Sequence, residues 1–282
     1  MTSPSARRLF WAAVLWTCAA GVRAGSQYVQ EPQLDACASW NDTVHFLEEG
    51  RLDGRAARER FKALWQTIKV DDLPSSKENR WQWMFPLPGY DSTCYGESYD
   101  AEKYRFLDGA KAKGFPALRL FIRDPQRSGL EARTGKPEPV VSAVDGVVVA
   151  TEKYWKETDV CPWGNYVLVL DQQDKLFFLY GNLAKLRVSP GQLLLKGEVL
   201  GWVGRTGKDI QAKRLGTQLR FEVHTFDDGL FYPVYPGRAL RVAGHTEWPI
   251  PEGTVRPHFK PPVITPWPDA LGPEETPAAS KP

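Results

Sequence analysis

Hydrophobic positions change their spacing along the chain, from helical in the N-terminal part to alternating after residue 81. A first helix is indicated by Asn41 or Asp42 as N-cap and by Gly50 as the stop. A second amphipathic helix lies within residues 53–70, where five apolar side chains share one face: Ala57, Phe61, Leu64, Trp65 and Ile68. We predict that both helices pack on the main domain as a small N-terminal subdomain, followed by a polar linker.

Beyond residue 81 the sequence consists of short β-rich runs separated by Gly, Pro, Asn and Asp. Strands are predicted over residues 140–150, with a bend at Asp145-Gly146, and over residues 165–171, 175–181, 193–204 and 217–224. The second and third of these form a hairpin across residues 172–174. Because the runs are too close together for crossover helices, we predict a mainly β fold, with an antiparallel sheet of barrel or sandwich type.

The last predicted strand has an unusual polar face. Alternation places four polar side chains on one side, Gln218, Arg220, Glu222 and His224, and three apolar ones on the other, Leu219, Phe221 and Val223. The apolar side is expected to face the core. The polar side is therefore a candidate for a functional surface.

Both ends of the chain differ from the predicted domains. Residues 1–24 are typical of a secretory signal, with Arg7 and Arg8 before an apolar run and a small-x-small sequence ending at Ala24. The proline-rich end is expected to be a largely disordered tail. The predicted organisation is a signal peptide at 1–24, a helical subdomain and linker at 25–80, a β domain at 81–246 and the tail at 247–282. Export to the periplasm or the extracellular space follows.

Charge and cysteine content exclude several kinds of partner and cofactor. Removal of residues 1–24 takes away three arginines and no acidic residue, which changes the formal net charge from +2 to −1. This balance argues against nucleic acid or anionic lipid as the main partner. No other run is apolar enough to span a membrane. The scattered Cys37, Cys94 and Cys161 do not form a zinc cluster, and we expect one disulfide among them, with the pairing open.

The order of the β segments resembles one known family. "DGVVV", "GNYVLVLD", "LYGNL", "VSPGQLLLKGEVLGWVGRTG" and "TQLRFEV" follow one another as in the lysostaphin-type, LytM-like peptidoglycan endopeptidases, over residues 115–223. The resemblance implies a zinc ion held by the histidine and aspartate of an H-x-x-x-D segment and by the second histidine of an H-x-H strand. The first histidine of that strand and one from a YxHL segment would assist a metal-bound water.

This chain departs from the family at all five of those positions. Phe115 and Arg119 stand in the first segment, Asn182 in "LYGNL", and Gln218 and Arg220 in the H-x-H pair. A phenyl ring has no lone pair for zinc, and a guanidinium stays protonated at physiological pH. Two fixed positive charges would also repel a dication. We therefore expect no bound metal and no other cofactor.

The sequence leaves two roles open for the altered site. In one, Arg119 and Arg220 pair with Glu222 or Asp124 and fill the vacated metal site. In the other, a groove binds a carboxylate-bearing ligand such as a peptidoglycan stem peptide or an acidic segment of a partner, through Phe115, Arg119, Asn182, Gln218, Arg220 and Glu222.

The expected function is that of a secreted, non-catalytic relative of the cell-wall endopeptidases, which binds peptidoglycan or a wall hydrolase. Two alternatives stay open. One is an active hydrolase with a displaced site built from Asp124, Glu222 or His224. The other is a structural envelope protein without a ligand.

Overall fold

A computed structural model describes residues 28–68, 82–96, 99–213 and 215–243. The predicted signal peptide and proline-rich tail, and the linker at residues 71–80, lie outside the described residues. The division into domains at these boundaries therefore stays a prediction. None of the described helices is long and apolar enough to cross a membrane.

Two helices form the N-terminal part, α1 (Gln33–Glu48) and α2 (Gly54–Thr67). The second helix was predicted. Its N-cap is Asp53, whose carboxylate accepts hydrogen bonds from the backbone N–H groups of Arg55 and Ala56. The first helix begins well before the predicted cap, because the apolar positions Cys37 and Trp40 continue its buried face upstream. Asn41 lies inside this helix, where its side-chain oxygen accepts a hydrogen bond from the Thr151 N–H at 2.8 Å.

Ten strands follow. They are β1 (Tyr95–Gly96), β2 (Ala117–Phe121), β3 (Pro139–Val141), β4 (Gly146–Glu152), β5 (Asn165–Asp171), β6 (Leu176–Leu186), β7 (Leu193–Leu194), β8 (Val199–Val203), β9 (Gln218–Asp227) and β10 (Leu230–Val234). The shorter elements are the 3₁₀ segments Ser92–Cys94 and Phe106–Lys111 and the helices α3 (Lys208–Lys213) and α4 (Gly237–Ala243).

The strands form one antiparallel sheet with the order β1-β2-β9-β6-β5-β4-β7, while β10 pairs with β9 and β8 pairs with β3 and β6. The predicted mainly β, antiparallel fold is confirmed. The sheet is not closed into a barrel. The predicted hairpin is also confirmed, since β5 and β6 pair along their length.

Both faces of the sheet are buried, which differs from the single buried face expected for β9. Alternating residues of β5 and β6 divide between two cores: Leu168 and Phe177 pack with α1 and α2, whereas Val169 and Phe178 pack on the opposite side. Trp40 of α1 stacks on Phe177, with ring centroids 5.3 Å apart. The N-terminal helices thus cover one face of the sheet.

The three cysteines of the described part of the chain are unpaired thiols, so the expected disulfide is absent from this structure. Cys37 and Cys161 pack with the first core, whereas Cys94 packs beside the second. Burial raises the pKa of Cys37 and of Cys94 to about 12, which makes both thiols poor nucleophiles at neutral pH.

Candidate functional site

Three neighbouring strands bring together the positions that differ from the endopeptidase pattern. In the antiparallel pair of β2 and β9, Arg119 lies directly opposite Arg220. On the other side of β9, Gly181 of β6 lies opposite Arg220, and Asn182 follows it. The site therefore forms where β9 is paired on both sides, in the middle of the sheet.

The ring of Phe115 contacts both arginines. The guanidinium carbon of Arg119 is 3.8 Å from the centre of the phenyl ring, and that of Arg220 is 4.5 Å away. Both distances are within the range of cation–π attraction. An aromatic ring thus allows two positive side chains to approach the same point, where they would otherwise repel each other.

Arg220 belongs to a row of three buried side chains on β9. Its Nε donates to Oε1 of Glu222 at 2.5 Å, and Nε2 of His224 is 2.9 Å from Oε2 of the same carboxylate. All three residues are at most 3% exposed. Because an ionised carboxylate only accepts hydrogen bonds, the histidine donates from Nε2. Nδ1 of His224 has no hydrogen-bond partner among the described residues.

The charges in this row determine the protonation of Glu222. Burial alone would raise the pKa of its carboxyl group, but the positive charge of Arg220 and the hydrogen bond from His224 lower the pKa below its usual value. The carboxylate is therefore ionised and balances the charge of Arg220. This is one of the two pairings considered from the sequence.

Arg119 lies near a different carboxylate from the two that the sequence suggested. Its Nη2 is 3.8 Å from a carboxylate oxygen of Asp209 on α3. Asp124, which was the other candidate partner, instead accepts hydrogen bonds from the Thr217 hydroxyl at 2.6 Å and from the Gly129 N–H at 2.7 Å. Burial and the nearby charge of Arg220 lower the pKa of Arg119. Sequence reasoning missed Asp209, which becomes a neighbour only through the tertiary fold.

The two amides of the site have different environments. Asn182 adopts a left-handed backbone conformation (φ 63°), and its side-chain nitrogen donates to the carbonyl oxygen of Thr206 at 2.8 Å. Asn182 lies inside β6, next to the register shifts in its pairing with β5 and β8, and asparagine adopts positive φ more readily than most residues. Gln218 is fully buried, and neither its amide oxygen nor its amide nitrogen has a hydrogen-bond partner in the described ranges.

The segment that precedes β2 covers the polar row. The ring of Tyr104 lies 5.8 Å from that of His224, and Phe106 packs on the same imidazole at 5.7 Å and stacks on Trp163 at 5.3 Å. Gly109 allows this segment to touch α1, because a Cβ at that position would lie 2.4 Å from the carbonyl oxygen of Leu47. Sequence analysis did not assign these aromatic residues to the site.

The residues present do not fit the zinc ion that the resemblance implies. A phenyl ring and two guanidiniums occupy the three ligand positions, and none of these groups offers a lone pair to a metal. Within the described ranges, no group of three or more His, Cys, Asp or Glu side chains is placed to hold a metal ion. Of the three residues of the displaced-site alternative, Glu222 and His224 are hydrogen-bonded to each other, whereas Asp124 accepts a hydrogen bond from Thr217 instead.

A family model and several solved structures are similar to this chain. Residues 126–231 match the model of Peptidase family M23. No curated protein matches the sequence significantly. The catalytic domain of the peptidase lysostaphin from Staphylococcus simulans is 19% identical, with 54% of this chain and 92% of that chain covered and a TM-score of 0.36.

Two further solved structures give similar values. A zinc-containing peptidase from Vibrio cholerae is 22% identical, with 54% of this chain and 38% of that chain covered and a TM-score of 0.35. A structure described as a peptidase M23 from Pseudomonas aeruginosa by sequence assignment is 17% identical, with 67% of this chain and 63% of that chain covered and a TM-score of 0.37. This chain therefore spans less than two thirds of either of these two chains. The match over residues 126–231 shows that the chain contains a domain of Peptidase family M23.

Proposed function

We propose that this chain is a non-catalytic M23-domain protein of the cell envelope that acts by binding. The observation that carries the proposal is the arrangement around Phe115, which lies 3.8 Å and 4.5 Å from the guanidiniums of Arg119 and Arg220. The ionised Glu222 balances the second of these charges. Fixed side-chain charges thus stand where the resemblance implies a metal, and no metal-bound water can be generated by these groups.

The burial of the candidate site residues supports the role in which their side chains fill the position of the metal. The six side chains of the expected groove are each at most 9% exposed: Phe115, Arg119, Asn182, Gln218, Arg220 and Glu222. A ligand would reach them only if the segment around Tyr104 and Phe106 moved away from His224. We therefore propose that binding uses the outer surface of the domain, with peptidoglycan or a wall hydrolase as the partner.

Export belongs to the same proposal. The signal features of residues 1–24 support release into the periplasm or the extracellular space, where a wall-directed M23 domain would meet its partner. An active hydrolase with a displaced site and a structural protein without a ligand are the alternatives that the experiment separates.

The test is to incubate the purified mature chain with peptidoglycan sacculi and to measure both co-sedimentation and the release of soluble fragments. Retention on sacculi without fragment release supports the proposal, as does retention that requires an added wall hydrolase. Fragment release above that of a buffer control, with or without a chelator, would contradict it. Failure to bind either sacculi or a hydrolase would favour the structural alternative.

A further inference from the structure

A basic loop projects from one end of the sheet, between β2 and β3. It comprises residues 122–138, and its exposed residues include four cations, Arg123, Arg127, Arg133 and Lys136. These four cations outnumber the three acidic residues of the loop, which are Asp124, Glu131 and Glu138.

Two of the three acidic residues of the basic loop are turned inward, whereas Glu138 at its end is half-buried. Glu131 is 1% exposed, and its carboxylate accepts hydrogen bonds from the backbone N–H groups of Arg133 and Thr134, both at 2.9 Å, and from Arg123 Nε at 3.0 Å. Although burial raises its pKa, these hydrogen bonds lower the pKa of Glu131 to about 2. Asp124 is similarly enclosed. Glu131 thus holds the loop in shape by pairing with Arg123 and Arg133, while Arg127 and Lys136 are exposed to solvent.

One apolar side chain lies among these cations. Leu130 is 38% exposed, between Arg127 and Arg133 in sequence. Arg127 holds a left-handed conformation (φ 57°), which is uncommon for a residue other than glycine, and Gly129 (φ 84°) shares it. Ala132 N–H donates to the carbonyl oxygen of Arg123 at 2.7 Å, which closes the loop at its base. The leucine is therefore presented at a fixed position on a rigid loop.

We propose that the basic loop docks on an anionic phospholipid surface, with Leu130 entering the interfacial region and the cations contacting headgroup phosphates. An apolar side chain surrounded by Lys and Arg is the pattern of peripheral membrane attachment. A soluble phosphate ion or polyanion would engage the cations but would give no reason for an exposed leucine in the same loop. This proposal does not depend on the proposed function of the M23 domain.

The proposal also revises an expectation from composition. A net charge near zero argues against anionic lipid as a partner only if the charges are evenly distributed. Here the loop buries Asp124 and Glu131, and Asp209 lies beside Arg119. The membrane would therefore meet a positive surface on a molecule of low net charge.

The test uses the full mature chain and vesicles of phosphatidylglycerol and phosphatidylcholine, measured by flotation at low ionic strength. The variants are Arg127→Asn with Lys136→Gln, and Leu130→Ser. Asn suits the left-handed conformation, and neither Arg127 nor Lys136 uses its side chain in the bonds to Glu131. Each removed cation should weaken binding about fivefold, and the leucine variant should weaken it a few-fold.

Lys175→Asn is the matched control, because Lys175 is also an exposed cation at positive φ (53°). The residue after it, Leu176, pairs with Thr225 of β9, whereas the residue before the basic loop, Phe121, pairs with Gln218 of the same strand. Thr225 and Gln218 are about 23 Å apart along β9, so the control lies far from the basic loop. This variant should bind anionic vesicles like the native chain. Thermal unfolding of every variant checks that the fold is retained.

Several results would overturn the proposal. These are no flotation with anionic vesicles, equal flotation with phosphatidylcholine alone, or equal weakening by Lys175→Asn. Unchanged binding by Leu130→Ser would also contradict it, and competition by inorganic phosphate at matched ionic strength would then identify a soluble-anion site. Binding lost in both loop variants and kept in the control would support the proposal.

Discussion

Arg220 places a permanent positive charge in the interior of the sheet, and this single residue determines much of its surroundings. A buried guanidinium is stable only with a counter-charge and hydrogen bonds, which Glu222 supplies at 2.5 Å. The carboxylate in turn binds His224 at 2.9 Å. The histidine at the end of the predicted polar face is thus explained as a partner of Glu222.

The first prediction concerns this carboxylate. Glu222→Gln keeps the shape of the side chain but leaves the charge of Arg220 unpaired, so it should reduce the free energy of unfolding by about 3–5 kcal/mol. Urea denaturation at pH 7 measures the loss. The double variant Arg220→Met, Glu222→Leu removes both charges and should be less destabilised than the single variant. Equal or greater loss in the double variant would show that the charge balance is unimportant.

The second prediction concerns Glu48, at the end of α1. Burial raises its pKa from 4.5 to about 8. Between those values the folded protein keeps a proton that the unfolded chain releases, so stability decreases as pH rises from about 4.5 to about 8. Glu48→Gln carries no titrating group there and should be more stable than the native chain at pH 8, on the order of a few kcal/mol.

Thermal unfolding of Glu48→Gln and the native chain across this range checks the sign. The difference between them should be small at pH 4, where both folded and unfolded chains hold the proton, and should grow toward pH 8. A difference that is constant with pH would mean that the variant changes packing and that Glu48 is not protonated in the folded protein.

At the scale of elements, α2 is held against the sheet by the turn between β9 and β10. Asp228 pairs with Lys62 at 2.6 Å and also with Arg58 of the helix. Gly229 (φ 80°) contacts the helix so closely that a Cβ would lie 2.5 Å from the carbonyl oxygen of Arg58. This turn therefore fixes the position of the N-terminal layer.

The third prediction compares two glycines of nearly equal φ. Gly129→Ala has open space around the new methyl group, so only the strained backbone conformation should reduce its free energy of unfolding, by about 1–2 kcal/mol. Gly229→Ala has the same strain and also the clash with Arg58. Its free energy of unfolding should therefore fall further, and amide hydrogen exchange in α2 should increase. Similar losses and unchanged exchange in α2 would contradict the docking role of the turn.

The elements that sequence predicted are those whose pattern is local. The second helix, the β5–β6 hairpin and β9 all follow from caps, turns and alternation within a few residues. β10 was missed, although Asp228-Gly229 is a hairpin signal that could have indicated it. The start of α1 was wrong because a polar residue, Asn41, was interpreted as a cap when its hydrogen bond goes to the sheet.

The altered site was predicted to the extent that it depends on strand register. Alternation along β9 placed Arg220, Glu222 and His224 on one face, and the structure joins them by hydrogen bonds. Their covering by Tyr104 and Phe106 was not foreseen, because it joins segments more than a hundred residues apart in sequence. Such contacts leave no periodic signal in the chain.

At the scale of the whole molecule, the N-terminal helices and the M23 domain share one core. Trp40 and Phe61 pack with Phe177 and Phe231, so the first core cannot form without residues from both parts. Tyr104 and Phe106, which cover His224 in the buried Arg220–Glu222–His224 row, belong to the same core. The aromatic cover over this row and the side chains that cannot bind zinc at the family's ligand positions therefore belong to the same region of the sheet.

The most direct test of this account is the zinc content of the purified mature chain after equilibration with zinc and removal of loosely bound metal, measured together with peptidoglycan hydrolysis. An active M23 peptidase treated in the same way is the control. The account predicts substoichiometric zinc and no chelator-sensitive hydrolysis. One tightly held equivalent of zinc, with hydrolysis that a chelator abolishes, would contradict it.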